Sequence, residues 1–211
     1  MPTWFAIIFA FFTLREAVAE RPCPPEGDGG DPILNRLKNR SLPPISVKPI
    51  TVAQFMHDLT PNLGTPKYRN RFSAEQRAIV DGAERTAVAL DGYLLAARQS
   101  GPESCNCHLD EARDFHLWVG GQAPGDKAEA KAMRAKAVVV EPTPAGQLAH
   151  PTWRLHSLDR LAQQGARVRV TGWLMYDPEH PQELDKTRGT LWELHPVTKF
   201  EVWSGGQFRE L

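Results

Sequence analysis

Five strand-like segments follow Glu84 in a fixed order, three before a helix and two after it, and this order constrains the fold most tightly. Thr86 to Ala97 carries the run Val88-Ala89-Leu90-Asp91-Gly92-Tyr93-Leu94-Leu95, and Asp114 to Val119 alternates polar and apolar residues. Ala137 to Glu141 is a short valine-rich segment ended by Pro142 and Pro144. A period of two and enrichment in β-branched and aromatic residues make each of these a strand. The spacing of Trp153, Leu155, Leu158 and Leu161 predicts a helix over Thr152 to Gln163. Arg167 to Tyr176 and Gly189 to Val202 then read as two further strands, the second interrupted by Pro196.

This connectivity predicts an all-β fold. It is a five-stranded OB-like barrel, of the oligonucleotide/oligosaccharide-binding type, with a helix between strands three and four. Closure would bury Val138, Val140, Val168, Val170 and Leu174, or their opposite-face neighbours, and leave few free edges. Gly92 and Gly172 fall where a strongly bent strand would crowd a Cβ. A β-sandwich is the competing architecture.

Ahead of the barrel the chain changes character. Trp4 to Phe12 is a short apolar core followed by Ala17-Val18-Ala19, the small-x-small pattern of a signal-peptidase site, so residues 1–19 read as a signal peptide and the mature protein as secreted or periplasmic. The apolar core is too short to span a bilayer, which takes about 20 residues. Residues 20–83 form a Pro/Gly-rich, mostly irregular segment with short helices. These are expected at Thr51 to Leu59 and at Ser73 to Asp81, the latter opened by Ser73 with Gln76 completing a capping box. The barrel domain is expected over 84–204 and a C-terminal tail over 205–211.

Lys plus Arg equals Asp plus Glu at 25 each, so no overall field draws the protein to nucleic acid or an anionic membrane. Cys23, Cys105 and Cys107 suit an oxidising compartment, with one disulfide and one free thiol as the simple arithmetic. A bridge from Cys23 to either Cys105 or Cys107 fits better than a strained Cys105–Cys107 bridge. The run Cys105-Asn106-Cys107-His108 lacks the second half of a zinc motif.

Alternation places Asp114 and His116 on one strand face and Glu193 and His195 on one face of the last strand, while Glu141 ends the third strand. His116, Glu141 and His195 are the expected ligands of a divalent metal ion such as zinc or manganese, because neutral imidazole and carboxylate oxygen suit those ions. Asp114 and Glu193 stand beside them. Asp177 and His180 lie in a loop after the fourth strand, and Arg188 follows in a polar hairpin, where it either clamps an anion or satisfies a carboxylate. Each residue also has a structural explanation, such as a turn cap for Asp114 or an ion pair for Glu141 with Arg188 or Lys199.

The motifs Asp114-Phe115-His116-Leu117, Val139-Val140-Glu141 and Trp192-Glu193-Leu194-His195-Pro196-Val197 resemble those of a poorly characterised group of exported bacterial proteins with Asp-x-His and Glu-Leu-His-Pro-Val signatures. The resemblance covers roughly residues 85–204 and reaches Asp114, His116, Glu141, Asp177, His180, Glu193 and His195. It implies export and a barrel-like fold, and no reaction. Three functions are open: a module binding an extracytoplasmic ligand, nucleic acid or glycan; a metal-dependent hydrolase such as a phosphodiesterase; and a structural envelope accessory protein. Tyr93, Trp118, Trp173, Trp192 and Trp203 are the stacking surfaces available to the first.

Overall fold

The computed structural model describes residues 23–61, 63–64 and 68–211, so the expected signal peptide lies outside the described residues. Among the described residues seven strands form one sheet: β1 (Lys48–Thr51), β2 (Ala87–Gln99), β3 (Phe115–Gly120), β4 (Val138–Val140), β5 (Arg167–Tyr176), β6 (Trp192–Ser204) and β7 (Gln207–Glu210). β2, β3, β4, β6 and β5 are successive neighbours, and β5 pairs back onto β2, closing a five-stranded barrel. Its pairs are antiparallel except β4 with β6, which run parallel and join the third and fifth barrel strands.

Closure follows from the apolar pattern. Val138, Val140, Val168, Val170 and Leu174 all lie in the main core, together with Leu117, Val119, Leu194 and Phe200. Each such side chain contributes about 1.5–3 kcal/mol by leaving water. A Cβ on Gly172 would come within 2.9 Å of the Pro196 carbonyl oxygen, and the β5–β6 register shifts on both sides of that glycine. β6 runs through Pro196 to Ser204 rather than stopping there, and the irregular register is where the proline is accommodated.

Helices surround the barrel, and about 32% of the described residues are helical, so the all-β expectation is too narrow for the whole chain. The helices are α1 (Pro32–Lys38), α2 (Val52–Gln54, continued by a π-helical turn at Phe55–Leu59), α3 (Ala74–Ala83), α4 (Lys127–Met133), α5 (Pro144–Ala149) and α6 (Leu155–Gln163). α3 opens with the expected Ser73/Gln76 capping box, and Thr51 and Gln54 build a second one for α2. α5 and α6 stand between the third and fourth barrel strands, and α6 buries Leu158 and Ala162.

The Pro/Gly-rich segment is laid firmly on the barrel. Asp31 caps α1 by accepting hydrogen bonds from the Ile33 and Leu34 amides, and α1 buries Leu34, Asn35 and Lys38. β1 adds a parallel strand beside β2. A disulfide joins Cys23 to Cys107, tying this segment to the loop before β3, and Cys105 remains a buried free thiol. Residues 207–210, expected in a tail, pair with β6 as β7 across a Gly205-Gly206 turn.

Candidate metal centre

Alternation along three neighbouring strands assembles the site. Leu117, Val140 and Leu194 face the barrel core, so His116, Glu141, Glu193 and His195 turn to the outer face of β3, β4 and β6. Backbone hydrogen bonds pin Glu141: its amide donates to the Leu194 carbonyl at 2.9 Å, and the Val197 amide donates to its own carbonyl at 3.0 Å. Loop 100–113, α1 and the loop after β5 cover this face, leaving Asp114, His116, Glu141, Asp177, Arg188, Glu193 and His195 all buried.

His195 is the hub. Its Nδ1 lies 3.1 Å from Glu141 Oε2 and 3.2 Å from Glu193 Oε1, and its Nε2 lies 3.5 Å from Asp114 Oδ2. Asp114, Glu141 and His195 each offer one ligand atom, all within 4.8 Å of one another. His116 is one step away, its Nδ1 3.4 Å from Glu141 Oε1 and its ring stacked on Trp118. Asp114 Oδ1 accepts a hydrogen bond from Asn106 Nδ2 at 3.2 Å. Asp114 Oδ2, His195 Nε2 and His116 Nε2 are buried and make no hydrogen bond among the described residues. Asp114 Oδ2 and His195 Nε2 face each other as an ion pair too long for a hydrogen bond, and His116 Nε2 is left without a polar partner, which is rare for a buried group.

A second polar group adjoins the first. Arg188 Nη1 lies 2.6 Å from Asp177 Oδ2 and 3.4 Å from Glu193 Oε2, and its Nε lies 3.3 Å from Glu183 Oε2. Arg188 is therefore a fully buried counter-ion among these carboxylates. His180 Nδ1 meets Asp177 Oδ2 at 2.6 Å. Lys38, from α1, lies 2.9 Å from Glu103 Oε2.

The electrostatics are those of crowded carboxylates. Burial raises Asp114 to about 7 against the pull of His195. Burial, Glu141 and Asp177 raise Glu193 to about 7. Burial also opposes ionisation of Glu141, but His116 and His195 hold its pKa well below the ordinary carboxylate value. Burial disfavours the His195 imidazolium, yet Glu141, Glu193 and Asp114 outweigh it and raise the group to about 10. Burial takes His116 down to about 4, so its ring is neutral at pH 7. The carboxylates Glu103, Asp114, Glu141, Asp177, Glu183 and Glu193 are interleaved with the cationic groups Lys38, His180, Arg188 and His195.

A cleft of about 490 Å³ opens onto this group. His116, Glu141, Asp177 and Glu193 line it together with Lys38 and Arg98, whereas the fully buried Asp114 and His195 are not among its lining residues. The structure thus brings together Asp114, His116, Glu141, Asp177, His180, Arg188, Glu193 and His195. The Cys105-Asn106-Cys107-His108 run disperses: Cys107 is in the disulfide, and His108 Nε2 lies 3.1 Å from the Asp28 carbonyl oxygen. Trp118 and Trp192 are buried, and only Trp203 of the five expected stacking aromatics is exposed, so they form no continuous platform. Lys38, Asn106 and Glu183 are additions from tertiary structure, because no local motif marks them. No protein-family model, curated protein or solved structure matches the chain.

Proposed function

We propose that the chain is an exported OB-like module that binds a divalent metal ion, zinc or manganese, through Asp114, Glu141 and His195, and uses the adjoining cleft to bind an extracytoplasmic ligand. The observation that carries this reading is the convergence of those three buried side chains within 4.8 Å, with Asp114 Oδ2 and His195 Nε2 facing each other at 3.5 Å without a hydrogen bond. Two carboxylates and an imidazole suit a borderline divalent ion. Glu193 beside His195 Nδ1 orients the ring with Nε2 toward Asp114, the arrangement by which a carboxylate directs a metal-binding histidine. The OB-like reading is supported by the strand order, the parallel β4–β6 pair and the helices between the third and fourth barrel strands. Export is supported by the Cys23–Cys107 disulfide and the apolar leader.

The cleft is sized for a small ligand or one unit of a polymer such as a glycan or nucleic acid. Metal-stripped protein titrated with zinc or manganese is expected to bind one equivalent tightly, and His195→Ala to lose it. Equal binding by the wild type and His195→Ala would end the proposal.

A second reading, metal-assisted hydrolysis, is favoured by His116. Its Nε2 is buried and unpartnered in a residue lining the cleft, and Glu141 faces its Nδ1. A neutral imidazole so placed would accept a proton from a water molecule. Metal-dependent cleavage of a generic phosphodiester that disappears in His116→Ala would establish this reading, and cleavage unchanged by the substitution would remove it.

A further inference from the structure

We infer that residues 23–39 form a strap, latched by the Cys23–Cys107 disulfide and hinged at Arg40, that closes over the buried Asp114 and His195, and that cutting the disulfide opens it. The strap stands on its own contacts; its control of an ion rests on the metal reading proposed above. Asp114 and His195 are fully buried and are not among the residues lining the cleft, so an ion reaches them only when part of their cover moves.

That cover has two layers. The inner one is the loop before β3, where Asn106 Nδ2 donates to Asp114 Oδ1 at 3.2 Å. The strap lies on this loop: the Asp28 amide donates to the Ser104 carbonyl at 2.8 Å, Asn39 Nδ2 donates to the Cys105 carbonyl at 2.8 Å, and Lys38 Nζ lies 2.9 Å from Glu103 Oε2. Cys23 and Cys107 fasten the two layers covalently. At the other end Arg40 is bolted to the barrel, donating to the carbonyls of Glu84, Leu174 and His195 at 2.6, 3.2 and 3.1 Å. Between these ends the apolar hold is small, because Leu34, the buried apolar residue of α1, lies outside both hydrophobic clusters of the described residues. A segment held by polar contacts and one covalent latch opens at lower cost than the barrel beneath it once the latch is cut. The two cysteines are half-buried. An external dithiol reduces the bond by passing two electrons and two protons to its sulfurs, which leaves two thiols and the reagent as a cyclic disulfide.

The test compares the full mature chain with its Cys23→Ser/Cys107→Ser variant, in both of which Cys105, beneath the strap, is the one free thiol. Labelling of Cys105 by a thiol reagent is followed at rising urea, beside global unfolding. The variant is expected to label about tenfold faster or more than the wild type, at a rate flat in urea below the unfolding transition, the mark of a local opening. Labelling that follows global unfolding down to zero urea overturns the strap, as does complete unfolding of both the variant and the dithiol-treated wild type. Release of zinc from the loaded variant to excess chelator should quicken by a similar factor, and unchanged release beside faster labelling overturns the strap's control of the ion. If neither protein binds zinc or manganese, the metal reading falls and the labelling alone decides the strap.

Discussion

Glu141 and His195 meet across the parallel pair of barrel strands, with Glu141 Oε2 3.1 Å from His195 Nδ1 and the Glu141 backbone bonded on both sides to β6. The strand register, rather than side-chain flexibility, sets this distance. Glu141→Gln would leave the His195 charge without its nearest partner in a buried place. Removing one member of a buried pair costs about 3–5 kcal/mol. Urea denaturation of the metal-free protein is expected to show that loss with little change in slope.

Arg69 and Glu84 supply a control. They form a buried bidentate pair that contributes no side chain to the metal centre, Glu84 also accepting the Tyr176 amide and Arg69 donating to the Tyr176 carbonyl. Glu84→Gln is expected to lower stability by a similar amount, about 3–5 kcal/mol, and to leave metal affinity unchanged. If it weakened metal binding as strongly as Glu141→Gln, loss at Glu141 would reflect general destabilisation.

Stability should depend on pH through His180 and Asp177. The hydrogen bond to Asp177 raises His180 from 6.5 to about 9, despite burial. That contribution is fully present below pH 6.5 and is lost as pH rises through 9. Burial opposes the Asp177 charge, but His180 and Arg188 lower its pKa beneath the usual 3.8, so its contribution holds above that value and is lost in stronger acid. Melting temperatures of wild type and His180→Asn should differ at pH 6 and converge toward pH 10. A constant difference across that range would contradict the pair.

The Cys23–Cys107 bond closes a loop with a sequence separation of 84. Paired replacement of both cysteines by serine is expected to cost about 2–4 kcal/mol. Cys105 should stay unreactive toward a thiol reagent in the native protein and react on unfolding, because burial raises its pKa and shields it.

Much of the barrel was legible in local pattern. Arg167 to Tyr176 alternates through Val170 and matches β5 residue for residue, and the Ser73/Gln76 box marked α3. The Asp114, His116, Glu193 and His195 faces followed from a period of two. Lys38 was hidden because its partner Glu103 is 65 residues away and only the disulfide-tied segment brings them together. β1 was hidden by Pro49, which is tolerated because β1 is at the sheet edge. β7 had a readable signal: Gly205-Gly206 between Trp203-Ser204 and Gln207-Phe208 is a two-residue hairpin turn, and both glycines adopt positive φ, 59° and 83°.

The central claim is that Asp114, Glu141 and His195 hold an ion, and the most direct measurement is anomalous diffraction from crystals grown with zinc or manganese. The account predicts a peak between the three side chains, at about 2.0–2.2 Å from their ligand atoms. A map without a peak there, with His195 bonded directly to the two carboxylates, would show the cluster to be an internal brace.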